Sequence, residues 1–146
     1  MGRSARESCD LRVRGNADED GMVLGIGTDM IEIERMQASF DRFGERFLER
    51  IFTPGEIAYC MRKKNAAESL AARFAAKEAG AKALGTGISW GVSWKEIEVR
   101  REPSGRPTLH WSGRAGEIAR QMGVKRTSLS LTHSRQLAMA VVIVED

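Results

Sequence analysis

The chain has 146 residues, 42% hydrophobic and 29% charged, which matches one domain with its own core and excludes two full-sized domains or disorder through the bulk. No apolar run approaches the ~20 residues needed to span a bilayer, and the N-terminus lacks an apolar stretch followed by a small-residue cleavage site. Cys9 and Cys60 fit neither a disulfide framework nor a zinc ligand set, so free thiols in a cytoplasmic, membrane-independent protein are expected. The net charge is +3, and the first 21 residues carry four arginines against five acids, leaving four excess positive charges on residues 22–146. Such an excess suits an anionic partner: a phosphorylated small molecule, an acidic protein or nucleic acid.

Residues 1–21 scatter a few apolar side chains among charge and glycine and are expected to be a disordered leader or a cloning remnant, with residues 22–146 forming a single domain. Val23, Leu24 and Ile26, interleaved with Gly25 and Gly27, predict a buried strand ending at Asp29. A helix over 32–42 follows, because Ile33, Met36, Phe40 and Phe43 recur at three- and four-residue steps, and a short helical turn through Phe47 and Leu48 follows Gly44. Thr53-Pro54-Gly55-Glu56 has the form of a capping box with proline at the first helical position. Asn65-Ala66-Ala67-Glu68 opens a second, alanine-rich helix expected to run to Leu84, with Gly85 beyond its end.

The second half turns to strands. Ile97 and Val99 alternate with charge, Pro103-Ser104-Gly105 is a turn, and Thr108–Trp111 returns, which predicts a hairpin. Ser112 caps a short helix that stops at Gly123, and Leu129 and Leu131 then alternate with Ser128, Ser130 and Thr132. Leu137–Val144 is apolar enough for a central strand. Helices concentrated early and strands late predict an α+β fold, with helices packed on one face of a mainly antiparallel sheet.

The helix over 66–84 carries an anomaly. Leu70, Phe74, Ala81 and Leu84 fall within one arc, yet Lys77 projects into that arc and Glu78 onto its shoulder, with Lys82 one turn on. Buried charges are costly unless paired or bound to an ion. Two accounts are open: Lys77 snorkels while Glu78 and Lys82 form a surface pair at four-residue spacing, or the three charges face a ligand. A strand-end carboxylate at Asp29, if it meets Glu78, would make the two-carboxylate arrangement that holds magnesium while leaving positions for water and phosphate oxygens, with a lysine clamping a diphosphate. Elsewhere, Arg62-Lys63-Lys64 is a helix-end cluster or a phosphate site, Gly85-Thr86-Gly87 is a helix C-cap and turn, and His133 is a strand-end histidine with a structural or phosphate-binding role. Trp90, Trp94 and Trp111 are packing residues or stacking platforms.

Taken together and in order, Gly25-Ile26-Gly27-Thr28-Asp29 with Ile33 and Arg35, Arg73-Phe74-Ala75-Ala76-Lys77-Glu78-Ala79 through Gly87, Gly105-Arg106-Pro107, and Ser128–His133 resemble the holo-acyl-carrier-protein synthase family of 4′-phosphopantetheinyl transferases. The resemblance covers residues 22–146. It implies transfer of the 4′-phosphopantetheine arm from coenzyme A to a serine of apo-acyl-carrier protein, in support of fatty acid biosynthesis, releasing adenosine 3′,5′-bisphosphate. It further implies a magnesium cofactor on Asp29 and Glu78, Lys82 at the coenzyme A diphosphate with Lys77 in the same motif, and a homotrimer with active sites between subunits. Gly105, Pro107 and His133 would approach the adenosine, and Lys63 and Lys64 its 3′-phosphate. Glu78 and Lys82 would be the catalytic pair, with the serine proton passing to Glu78 or to a water beside it. An acidic carrier would dock on Arg35, Arg42, Arg46 and Arg50. Two rivals stand against this reading. One is a basic RNA-binding module, disfavoured because its arginines alternate with acids; the other is a structural domain whose charged helix is paired internally.

Overall fold

A computed structural model describes residues 21–146; residues 1–20, which hold most of the expected leader and Cys9, lie outside the described residues. The chain runs β1 (Val23–Glu32), α1 (Ile33–Phe43), α2 (Glu45–Ile51), α3 (Pro54–Met61) and α4 (Ala66–Ala83), then a one-turn 3₁₀ helix (Trp94–Glu96), β2 (Ile97–Arg101), β3 (Pro107–Trp111), α5 (Gly113–Met122), β4 (Arg126–His133) and β5 (Leu137–Glu145). The α+β expectation is met with a division: β1, β5 and β4 form one antiparallel sheet in that order, and β2 and β3 form a separate hairpin. The apolar strand β5 is central, as its composition predicts.

Helix α4 is the axle. Its expected amphipathic stripe is absent, because residues all around it are buried; a helix built of alanine and glycine can be enclosed on every side. Its first half joins Ile33, Met36, Leu48, Ile51 and Phe52 of the early helices in one apolar cluster. Its second half joins Ala140, Val142 and Val144 of β5 and Ile97, Val99 and Leu109 of the hairpin in another.

Two glycines set how close α4 comes to the sheet. A Cβ at Gly27 would lie 1.8 Å from the Ala79 carbonyl oxygen, and one at Gly25 would lie 2.0 Å from that of Ala83. Both glycines sit on the inward face of β1, two residues apart, and meet α4 one turn apart, so strand and helix touch backbone to backbone. This contact brings the third inward position, Asp29, against the face of α4 that carries Glu78 and Lys82. Gly27→Ala is therefore expected to push α4 off β1 at a cost of ~1–3 kcal/mol, measured by urea denaturation; a loss under about 0.5 kcal/mol would mean that the contact yields without strain.

Two expectations change here. Strand β1 does not end at Asp29 but continues through Met30 and Ile31 to Glu32, since that stretch keeps the alternation and pairs with Met139, Ala138 and Leu137 of β5. Nor is β1 buried, because it is a sheet edge whose outer face is open. At the helix expected after Ser112, the serine holds the cap position without a side-chain hydrogen bond, and Glu96 accepts from the Arg114 backbone N–H instead. The capping box at Thr53 and the turn at Gly85–Gly87 form as expected, the latter with Gly85 and Gly87 in the left-handed region (φ 79° and 60°).

Candidate active site

Asp29 from β1, Arg35 from α1, Glu78 from α4 and Trp94 from the 3₁₀ turn line a single cavity of about 540 Å³, floored by Met36, Ile51 and Phe74. The Gly25–Gly27 contact sets Asp29 against the face of α4 that carries Glu78, and both carboxylates line this cavity. Asp29 Oδ1 accepts from Lys82 Nζ at 3.1 Å, and the same ammonium donates to the Thr28 carbonyl at 3.0 Å. Lys82 remains 52% exposed, so it presents charge to solvent beside Asp29. The surface pair expected between Glu78 and Lys82 is not formed: Glu78 Oε1 accepts instead from the Trp94 indole N–H at 2.8 Å.

Lys77 corrects both accounts given for it. It neither snorkels nor faces a ligand, being fully buried, with Nζ donating to Glu56 Oε1 at 2.6 Å, to the Ile97 carbonyl at 2.8 Å and to the Trp94 carbonyl at 3.0 Å. An ammonium has three protons, and all three are committed, which leaves none for coenzyme A. Burial pushes its pKa below the ordinary lysine value, and the Glu56 carboxylate opposes that shift.

The other predicted residues form two separate groups. Lys63 Nζ, the Arg73 guanidinium and the Arg101 guanidinium lie 4.7, 4.1 and 5.4 Å from the centre of the Tyr59 ring. Arg101 also donates to the Gly105 carbonyl at 2.6 Å, so Lys63 and the Gly105–Pro107 hairpin tip belong to one cationic patch. Burial pushes the Tyr59 hydroxyl up, but Lys63, Arg101 and Arg73 together pull it below its ordinary value. Arg73 is buried, and its Nε is the one buried side-chain polar atom without a partner among the described residues. Sequence reading missed Arg73 and Arg101; Arg73 lay inside the quoted motif, but nothing in the spacing said it would face Lys63. Lys64 is exposed beyond α3. His133 stands elsewhere, its Nε2 3.2 Å from Glu68 Oε1 at the start of α4.

Next to the carboxylate cavity is a groove of about 610 Å³ lined by Arg42, Phe43, Arg46, Phe47 and Arg50. Phe47, Ile51 and Trp94 line both spaces. Arg35, expected with the docking arginines, stands on the carboxylate side. Cys60 is a free thiol, as expected, and burial pushes its pKa up to about 11. Trp111 packs in the core and donates to Thr127 at 3.0 Å.

The profile of the 4′-phosphopantetheinyl transferase superfamily matches residues 25–142. The holo-[acyl-carrier-protein] synthase of Koribacter versatilis is 54% identical over 86% of this chain and the relative's full length, and that of Solibacter usitatus is 51% identical over the same shares. Among solved structures, the holo-[acyl-carrier-protein] synthase of Neisseria meningitidis superposes with a TM-score of 0.78 at 36% identity, covering 86% of this chain and all of that one. The Helicobacter pylori enzyme, solved in complex with coenzyme A, superposes with a TM-score of 0.73 at 35% identity over 82% of this chain and 98% of that one. With five helices packed against antiparallel strands and a family match spanning most of its length, the chain belongs to the 4′-phosphopantetheinyl transferase superfamily.

Proposed function

We propose that this chain transfers the 4′-phosphopantetheine group from coenzyme A to a serine of apo-acyl-carrier protein, with magnesium, in support of fatty acid biosynthesis in the cytoplasm. The observation that carries this reading is the convergence of Asp29 and Glu78 on one cavity, with Lys82 anchored at Asp29, in a chain of this superfamily. The donor set fits a hard cation. The described residues contain no group of three or more His, Cys, Asp or Glu that could hold a metal ion, so two carboxylates would hold magnesium only alongside water and phosphate oxygens. Asp29 and Glu78 would hold the ion, which when bound neutralises charge on the diphosphate.

The chain's own residues do the remaining work. Lys82, half exposed and oriented by Asp29 and the Thr28 carbonyl, sets a positive charge where the diphosphate would lie, and this favours the developing charge of the leaving phosphate. The patch of Lys63, Arg73 and Arg101 offers the cations for the 3′-phosphate, and Gly105 and Pro107 at the adjoining hairpin tip would border the adenosine. Lys64 and His133 complete the anionic and adenosine contacts in this reading. Glu78 spends one carboxylate oxygen on the indole, and the other is free of protein donors among the described residues and available to the ion, which leaves a water beside Glu78 as the acceptor of the serine proton.

The open face of the β1-β5-β4 sheet supports a homotrimer. Ile26, Met30 and Met139 are 61, 59 and 37% exposed there; Ile26 pairs with Ile143 and Met30 with Met139, and Val141 lies between them opposite Thr28 and Ser130. A contiguous apolar sheet face of this kind favours burial against another copy, which would also bring His133 and the cationic patch toward a neighbouring site.

Docking of the acidic carrier falls to the groove whose apolar floor is Phe43 and Phe47 and whose rim is Arg42, Arg46 and Arg50. Because Arg35 lines the carboxylate cavity, Arg46 gives the cleaner test. Arg46→Glu is expected to raise KM for the carrier by about tenfold or more while KM for coenzyme A stays within about twofold; equal rises in both would remove the docking role. The function itself is tested by mass spectrometry of an apo-acyl-carrier protein incubated with this chain, coenzyme A and Mg²⁺. A gain of one phosphopantetheine arm, lost with chelator, is expected, and an unmodified carrier would refute the reading.

A further inference from the structure

Lys77 and Glu78 are adjacent in sequence, yet on a helix they point about 100° apart; both are bonded to the same outside residue. Lys77 donates to the Trp94 carbonyl, and the Trp94 indole N–H donates to Glu78 Oε1. Trp94 is held on further sides as well. The preceding Ser93 N–H donates to Glu96 Oε1 at 2.8 Å, and the Trp94 ring packs against Phe74 with centres 6.3 Å apart. The buried Lys77, itself fixed by Glu56, thus pins the backbone of the residue whose side chain grips the carboxylate.

The chemistry of the donor matters. An indole N–H is a single donor, fixed in the ring plane, that cannot accept a hydrogen bond, cannot rotate as a hydroxyl does and carries no charge. It can therefore immobilise one oxygen of Glu78 without competing with a cation for the other, which a lysine or arginine in its place would do.

We propose that Trp94 is a positioning residue for Glu78, its indole N–H holding the carboxylate so that the remaining oxygen faces Asp29 across the cavity. The inference rests on the reading of Asp29 and Glu78 as the metal-holding pair. Partners of this kind typically change metal affinity 10–100-fold.

The test uses the full chain saturated with coenzyme A, with no carrier present, and titrates Mn²⁺ while free ion is followed by electron paramagnetic resonance, a coenzyme-A-only titration being subtracted. Trp94→Phe retains an aromatic ring against Phe74 and removes the N–H together with part of the indole's bulk. It is expected to weaken Mn²⁺ binding by about 10–100-fold with the Kd for coenzyme A little changed, whereas Glu78→Gln abolishes Mn²⁺ binding. Affinity within twofold of the parent in Trp94→Phe, with binding abolished in Glu78→Gln, overturns the positioning role alone. Unchanged affinity in Glu78→Gln overturns it together with the metal reading. Should Trp94→Phe not fold, the Trp94 indole ¹H–¹⁵N resonance decides: a shift in Glu78→Gln supports the contact, and an identical peak in both overturns it.

Discussion

Lys77→Met is expected to cost this protein ~3–5 kcal/mol of folding stability, enough to remove much of what a domain of this size holds in reserve. Methionine fills most of the volume, so the loss is electrostatic in origin. Without the ammonium, Glu56 stays 2% exposed with only the Thr53 and Val99 backbone N–H groups as donors, at 2.9 and 3.0 Å. The Trp94 and Ile97 carbonyls lose their donor at the same time. A buried carboxylate without its counter-ion is far more costly than the pair itself was favourable. Adding Glu56→Gln to Lys77→Met should recover part of the loss, because a neutral amide is cheaper to bury than a lone charge. Urea denaturation of parent, singles and double measures the coupling; a single-variant loss below about 1 kcal/mol would show that water reaches the site.

Asp29→Asn is expected to slow phosphopantetheine transfer by ~10²–10³-fold. Asparagine has nearly the same shape and can still accept from Lys82 through its amide oxygen, so the ammonium keeps its place and the fold is spared. What disappears is one of the two negative charges proposed to hold the ion, and with it half of the donor charge this reading gives the site. The rate should recover in part at high Mg²⁺, and the thermal midpoint should move little. A variant transferring at more than a tenth of the parental rate would exclude Asp29 from holding the ion.

These two residues mark where the sequence was legible. Asp29 and Glu78 stood out because charge interrupts an apolar pattern at a strand and on a helix, and the surrounding motif carried the family. Local features were equally readable: the Thr53–Glu56 capping box joins partners three positions apart and forms as its spacing demands. That success concealed something. Glu56 was fully explained as a cap, so nothing prompted a search for its second partner, Lys77, 21 residues away. The partners of Lys77, Arg73 and Trp94 are set by how α3, α4 and the hairpin pack, and no periodicity encodes those pairings. The α4 stripe failed for a related reason: alanine is small enough to be buried on any side, so a helix rich in it gives no directional signal. The reason for Gly25 and Gly27 became visible only when the Ala79 and Ala83 carbonyls were found against them.

Strand β1 passes into α1 without a loop, Glu32 closing one and Ile33 opening the other, and the junction is tied to the residue just before β5 by the Ile33 N–H on the Gln136 carbonyl at 2.9 Å. Asp29 and Arg35 are thus joined by an unbroken rod of defined length, with the arginine-rimmed groove continuing from the same piece. On the proposed reading this rod is a ruler, measuring from the surface that seats the carrier to the group that works on its serine. Inserting a single alanine between Glu32 and Ile33 would turn the helix by about 100°, swinging its recognition face out of phase with the carboxylates. Carrier and coenzyme A would each still find their surfaces, and the two would no longer be in step.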